Sequence, residues 1–243
     1  MSCEEALTSF FAGNGKFEEL GVGELDSTYN WTIPRCEFLP KLTPTVSLAR
    51  DNINLKFCLH ESWLLETHPR LEIAIWIVRN WGGIRRISTT TLEAYVERTC
   101  KTDPLTPIKG ISSFSKILAI VDPSKYVIYD ARVAVSLNAI QLINGTKNGL
   151  AFPYLPGRNK ITGDSSSRPR RGFSNLPKYS IENLTARNTG WCKVTPNDAY
   201  QRYLIILKSI IKKNPQYKLH ELEMTLFAQA EMLAVRAEPS LKV

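Results

Sequence analysis

Apolar residues recur along most of this chain at intervals of three and four, the spacing of helices that bury one face. The clearest pattern follows Thr195-Pro196-Asn197-Asp198, read as an N-cap with proline at the first helical position. Tyr200, Tyr203, Leu204, Leu207, Ile210 and Ile211 share one face there, and Asn214-Pro215 ends the helix. A last stripe of Leu219, Leu222, Leu226, Ala230 and Leu233 predicts a C-terminal helix. Upstream, Ser62 to Val78 is strongly apolar and reads as a buried central helix, with a strand as the alternative, until Trp81-Gly82-Gly83 breaks it. Thr90 or Thr91 then caps a helix with Leu92, Tyr95, Val96 and Thr99 on one face, which Asp103-Pro104 and Thr106-Pro107 end.

Ile108 to Ser113 form a tight glycine turn, and Phe114, Ile117, Leu118 and Val121 resume the helical spacing. A helix, a hairpin and a helix are predicted here. Asp122-Pro123-Ser124 closes the second of them, Tyr126 to Tyr129 is a short extended run, and Val133, Leu137 and Ile140 mark another helix with Asp130 at its N-cap. Two regions carry no such pattern. Residues 1–60 read as short unassigned elements separated by Gly13-Asn14-Gly15 and Gly21-Val22-Gly23. Between Asn144 and Thr195 the pattern dissolves into glycine, proline, serine and arginine, a stretch too long for an ordinary connection and read as a functional insertion or a mobile segment. The predicted class is mainly α, in one unit over 1–243. It comprises an N-terminal segment 1–60, a helical region 62–143 holding the hairpin 108–113 and Asp130, the insertion 144–195, and C-terminal helices over 196–235.

Composition narrows the function. With 243 residues, 43% hydrophobic and 22% charged, the chain can bury a core without disulfide or metal staples. No run approaches the roughly 20 apolar residues of a membrane helix. The opening Met1-Ser2-Cys3-Glu4-Glu5 is acidic where a secretory signal is basic, so the expected address is cytoplasmic and no membrane partner is expected. Cys3, Cys36, Cys58, Cys100 and Cys192 lie far apart, with neither CxxC pairs nor zinc spacing, and His60, His68 and His220 fit neither a metal site nor a triad. No metal and no cofactor is expected. A net charge of +8 favours a polyanionic partner, with nucleic acid ahead of an anionic membrane surface.

The hairpin and the aspartate twenty residues beyond Gly110 have a joint chemical use. Hairpin N–H groups beside a helix N-terminus can hold a DNA phosphate, and an aspartate capping the next helix presents a carboxylate at its positive end. Ile108-Lys109-Gly110-Ile111-Ser112, followed by Ile128-Tyr129-Asp130-Ala131-Arg132-Val133, resembles the helix-hairpin-helix superfamily of DNA glycosylases. That superfamily carries a Leu-Pro-Gly-Val-Gly type hairpin before a Val-Asp-Thr-His-Val type catalytic motif. The resemblance covers about thirty residues. It implies two helical lobes around a cleft, duplex DNA with a flipped base as the partner, and Asp130 as the catalytic carboxylate. A smaller group, phage-defence glycosylases acting on modified cytosines, is also similar.

The match has departures. Ser112 replaces the hairpin's second glycine, and the lysine nucleophile of lyase-competent members falls near Phe114, two residues before Lys116, which implies a monofunctional enzyme. Cys192 stands alone in the last third, so no iron–sulfur cluster is implied. The expected DNA contacts are Gly110, Ser112, Ser113, Ser115, Lys116 and Arg132, with Arg158, Arg170 and Arg171 from an insertion that interleaves basic residues with Phe152, Tyr154, Phe173 and Tyr179. Tyr129, Trp81 and Tyr154 are the expected walls of a base pocket. Each has a plainer use: a turn glycine, capping serines, a solvated lysine, a solvated loop, core aromatics, and for Asp130 a cap alone. The rival functions are a non-catalytic helix-hairpin-helix DNA-binding protein and a helical protein-interaction domain.

Overall fold

In a computed structural model the protein is mainly helical, with a single two-stranded sheet among the described residues. The structure describes residues 1–36, 43–102, 104–105, 110–164, 172–186 and 190–241. They form two compact units, one of Met1–Thr28 with Asp130–Val243 and the other of Tyr29–Tyr129, so the chain changes unit at the Tyr129–Asp130 peptide bond. No helix among the described residues is long and apolar enough to cross a membrane.

The N-terminal segment is folded in its described residues. Helix α1, Cys3–Phe11, starts at a capping box in which Glu5 N–H donates to Ser2 Oγ and Ser2 N–H donates to Glu5 Oε2. It buries Ala6, Leu7, Phe10 and Phe11, and a one-turn α2, Leu25–Thr28, follows.

The Tyr29–Tyr129 unit begins with α3, Leu48–Leu65, capped by Ser47. Here the structure corrects the single helix expected over Ser62 to Val78. Ser62 to Leu65 finish α3, Glu66 turns left-handed at φ 51°, and α4, Arg70–Ile75, starts only after Pro69. Proline has no N–H to extend α3, and its ring excludes the helical backbone before it. From Trp76 to Trp81 the chain winds as a π-helix, where Gly82 N–H donates to Ile77 O at 2.7 Å. Helix α5, Thr89–Thr99, is capped by Ser88 rather than by Thr90 or Thr91, and α6 spans Ile111–Val121. Leu55, Leu59, Trp63, Ile73, Ile77, Val78, Leu92, Ile117 and Ile120 form the core of this unit.

The other unit is built on α7, Ala131–Ile143, whose residues 133–141 are all buried beneath α1 and later helices. The 144–195 stretch is ordered in its described parts: β1, Leu150–Ala151, pairs in parallel with β2, Cys192–Lys193, and a short α8, Ile181–Leu184, lies between. Phe152 and Phe173 are fully buried. Two amides of α7 hold this stretch. Asn138 exchanges hydrogen bonds with the backbone N–H and C=O of Phe152 at 2.9 and 2.8 Å, and Gln141 does the same for Leu150 at 2.8 and 2.9 Å. Helix α9, Ala199–Lys213, starts three residues later than the Pro196 reading, because Thr195 to Asp198 close a turn through Thr195 Oγ1. Helix α10, Leu219–Ala237, packs along α7.

Candidate functional site

The hairpin side chains belong to the Tyr29–Tyr129 unit. Gly110 caps α6 at φ 68° and ψ 40°, a left-handed conformation that costs an L side chain about 1–2 kcal/mol. A Cβ at Gly110 would also lie 2.2 Å from Tyr95 Oη, so any side chain there must displace the Tyr95 hydroxyl. Ile108 and Lys109, the first half of the hairpin, lie outside the described residues. Ser112 is half-buried and its carbonyl accepts a hydrogen bond from Lys116 Nζ at 2.8 Å. Ser113 is buried.

Two expected DNA contacts are reassigned by this geometry. Ser115 is 0% exposed, and its hydroxyl accepts from Tyr129 N–H at 3.0 Å and donates to Tyr129 O at 3.4 Å. It clamps the backbone of the residue before Asp130 and has no face for DNA. Lys116 is buried, its stem laid against Gly82 and its ammonium turned back on the Ser112 carbonyl, so it serves the helix instead of a phosphate.

Two of the three expected pocket aromatics are committed to the interior. Trp81 is buried and its indole N–H donates to Asn52 Oδ1 at 2.8 Å, which places it in the core. Tyr129 is 0% exposed. The hydroxyl of Tyr154 donates to Tyr179 O at 3.0 Å, and burial raises its pKa. Trp81 and Tyr129 present no open ring for stacking, because each aromatic surface is worth more inside a core than on a rim, while Tyr154 is half-buried.

Asp130 opens the other unit. Its Oδ1 accepts from the N–H groups of Arg132 at 3.0 Å and Val133 at 3.2 Å, satisfying two donors that the first turn of α7 leaves over. Its Oδ2 accepts no hydrogen bond from the described residues, and the side chain is half-buried. The carboxylate is thus held in one orientation through Oδ1, with Oδ2 unpaired among the described residues.

The 150–164 segment runs beside α7 toward its first turn. It is held at Gln141 by Leu150, at Asn138 by Phe152, and then at Ala131, where a Cβ on Gly157 would come within 2.8 Å of Ala131 Cβ. Only glycine allows the turn to sit that close to the start of α7. Arg158 and Lys160 are exposed on the turn. Arg132, expected to meet DNA, lies inward: its guanidinium pairs with Glu231 Oε1 at 2.5 Å and sits 4.8 Å from the centre of the Phe227 ring. That pairing removes it from the DNA-facing set. Arg170 and Arg171, together with Arg168, lie outside the described residues.

Glu231, Asn159, Asn138 and Gln141 were not legible as site residues. Asn138 and Gln141 carried a faint signal, as two amides three residues apart in an otherwise apolar helix. No protein-family model, no curated protein and no solved structure matches this chain.

Proposed function

We propose that the chain is a monofunctional DNA glycosylase of helix-hairpin-helix type, hydrolysing the bond between a modified or damaged base and its deoxyribose. The observation that carries this reading is the Asp130 carboxylate, fixed through Oδ1 at the start of a buried helix, with Oδ2 accepting no hydrogen bond from the described residues. The glycine-capped α6 supports it, since Gly110 is exposed in a left-handed turn at a helix N-terminus.

Loss of the base gives the sugar oxocarbenium character. A carboxylate beside C1′ stabilises that positive charge, and its open oxygen takes the proton of the attacking water. Water adds its oxygen to C1′, the bond to the base nitrogen breaks with its electron pair leaving on the base, and an abasic site remains. The absence of a lysine at Phe114 and the inward ammonium of Lys116 support hydrolysis by water over Schiff-base chemistry.

The test is incubation with unmodified, alkylated, deaminated, hydroxymethylcytosine and glucosylated duplexes, followed by alkali. Strand breaks confined to one substrate class are expected. No breaks on any duplex, with salt-sensitive binding retained, would make the chain a non-catalytic DNA reader.

A further inference from the structure

We infer that Glu231 is a positioning residue, fastening the Gly157–Gly163 turn to the first turn of α7 so that the turn's exposed cations contact the DNA backbone beside Asp130. This rests on the DNA-glycosylase reading and adds a second contact surface to it.

One carboxylate oxygen does the fastening. Glu231 Oε1 accepts from Arg132 Nη2 at 2.5 Å and from Asn159 Nδ2 at 2.8 Å, so α10, α7 and the turn meet at a single atom. The pair is partly sheltered, with 19% of the Arg132 and 27% of the Glu231 side chain exposed, so water weakens it less than a surface pair. Asn159 is rigid in turn, because its Oδ1 accepts from Ile161 N–H at 2.8 Å and Thr162 N–H at 3.0 Å while its carbonyl accepts from Gly163 N–H at 2.9 Å. A Cβ on Gly163 would come within 2.3 Å of the Gly157 carbonyl oxygen, so the turn closes on itself. The result is a preformed loop with its base on Ala131, the neighbour of Asp130, and with Arg158 and Lys160 exposed. A turn whose backbone is already fixed spares the ordering cost when its cations meet a phosphate, whereas a loose turn must first be ordered.

The sign of one substitution separates positioning from charge. Glu231→Gln removes a negative charge and frees the Arg132 cation, so electrostatics alone would tighten DNA binding. Loss of positioning would weaken it.

The experiment measures affinity of the full chain for a short fluorescein-labelled duplex holding a tetrahydrofuran abasic analogue, across a salt series. Lys160→Gln, a surface change, lowers the slope of log affinity against log salt by about one. Glu231→Gln and the charge-neutral Asn159→Ala each weaken binding about fivefold and lose a comparable part of that slope. Glu231→Gln binding at or above wild-type strength, or a Lys160→Gln slope equal to wild type, overturns the inference while leaving the glycosylase reading standing. Wild-type protein without salt-dependent binding overturns both. Should Glu231→Gln fail to fold, Asn159→Ala and Lys160→Gln decide.

Discussion

Replacing Ser115 with alanine removes the clamp that precedes Asp130. In the native chain the Ser115 hydroxyl satisfies both backbone groups of Tyr129, at 3.0 and 3.4 Å, in a site with no solvent exposure. Alanine leaves the Tyr129 N–H buried and unpaired, and such a group costs about 1–3 kcal/mol; the longer bond to the carbonyl adds little. Alanine gains back up to about 0.5 kcal/mol in helix propensity. The net expectation is a loss near 2 kcal/mol, or a melting temperature lower by about 8 °C for a unit of this size. Urea unfolding followed by tryptophan fluorescence is the assay, since Trp31, Trp63, Trp76 and Trp81 all fall within Tyr29–Tyr129 and only Trp191 lies elsewhere. Ser113→Ala is the control, for its hydroxyl has no such pairing with Tyr129, and it should shift stability by no more than about 0.5 kcal/mol. Equal effects of the two substitutions, or a Ser115→Ala loss below about 0.5 kcal/mol, would refute the clamp.

Gly110→Ala should cost about 2–3 kcal/mol, from the left-handed backbone and from displacement of the Tyr95 hydroxyl. Adding Tyr95→Phe should recover about 1 kcal/mol of it in a double-mutant cycle, since the next Tyr95 atom lies 3.5 Å from the new Cβ, and strict additivity would exclude the contact. The Glu238 carboxyl is held down at about 2 by hydrogen bonds from Lys178 and then Ser240. A depressed carboxylate contributes stability above its ordinary value of 4.5 and loses it as pH falls toward about 2, so thermal melts over that range should fall more steeply for wild type than for Glu238→Gln. Parallel curves would mean that the Lys178–Glu238 pair is not maintained in solution.

What could be read from the chain and what could not divide along a physical line. Helices α6, α7, α9 and α10 were legible because their apolar positions repeat within a single element, and Asp130 as a cap followed from its place before one of them. Helix α3 was not, because buried Asn52 and Lys56 interrupt its apolar face. The Ser62 to Val78 run misled, since hydrophobicity continues across Pro69 while the backbone does not. Side-chain assignments needed distance information. Ser115 meets a backbone 14 residues away and Arg132 meets a carboxylate 99 residues away. Neither separation leaves a periodic trace, so a serine in a hairpin helix and an arginine beside a catalytic motif both looked free to meet DNA.

The proposed hydrolysis stands or falls on Asp130. Asparagine caps a helix as well as aspartate does, so Asp130→Asn keeps the N–H partners of α7 and should melt within about 0.5 kcal/mol of wild type. Single-turnover release of the base, read as alkali-labile strand breaks on whichever duplex the wild type cleaves, should fall by at least about 100-fold in this variant, with DNA affinity retained or raised. Breaks formed by Asp130→Asn at the wild-type rate would take the carboxylate out of the chemistry and leave it a helix cap.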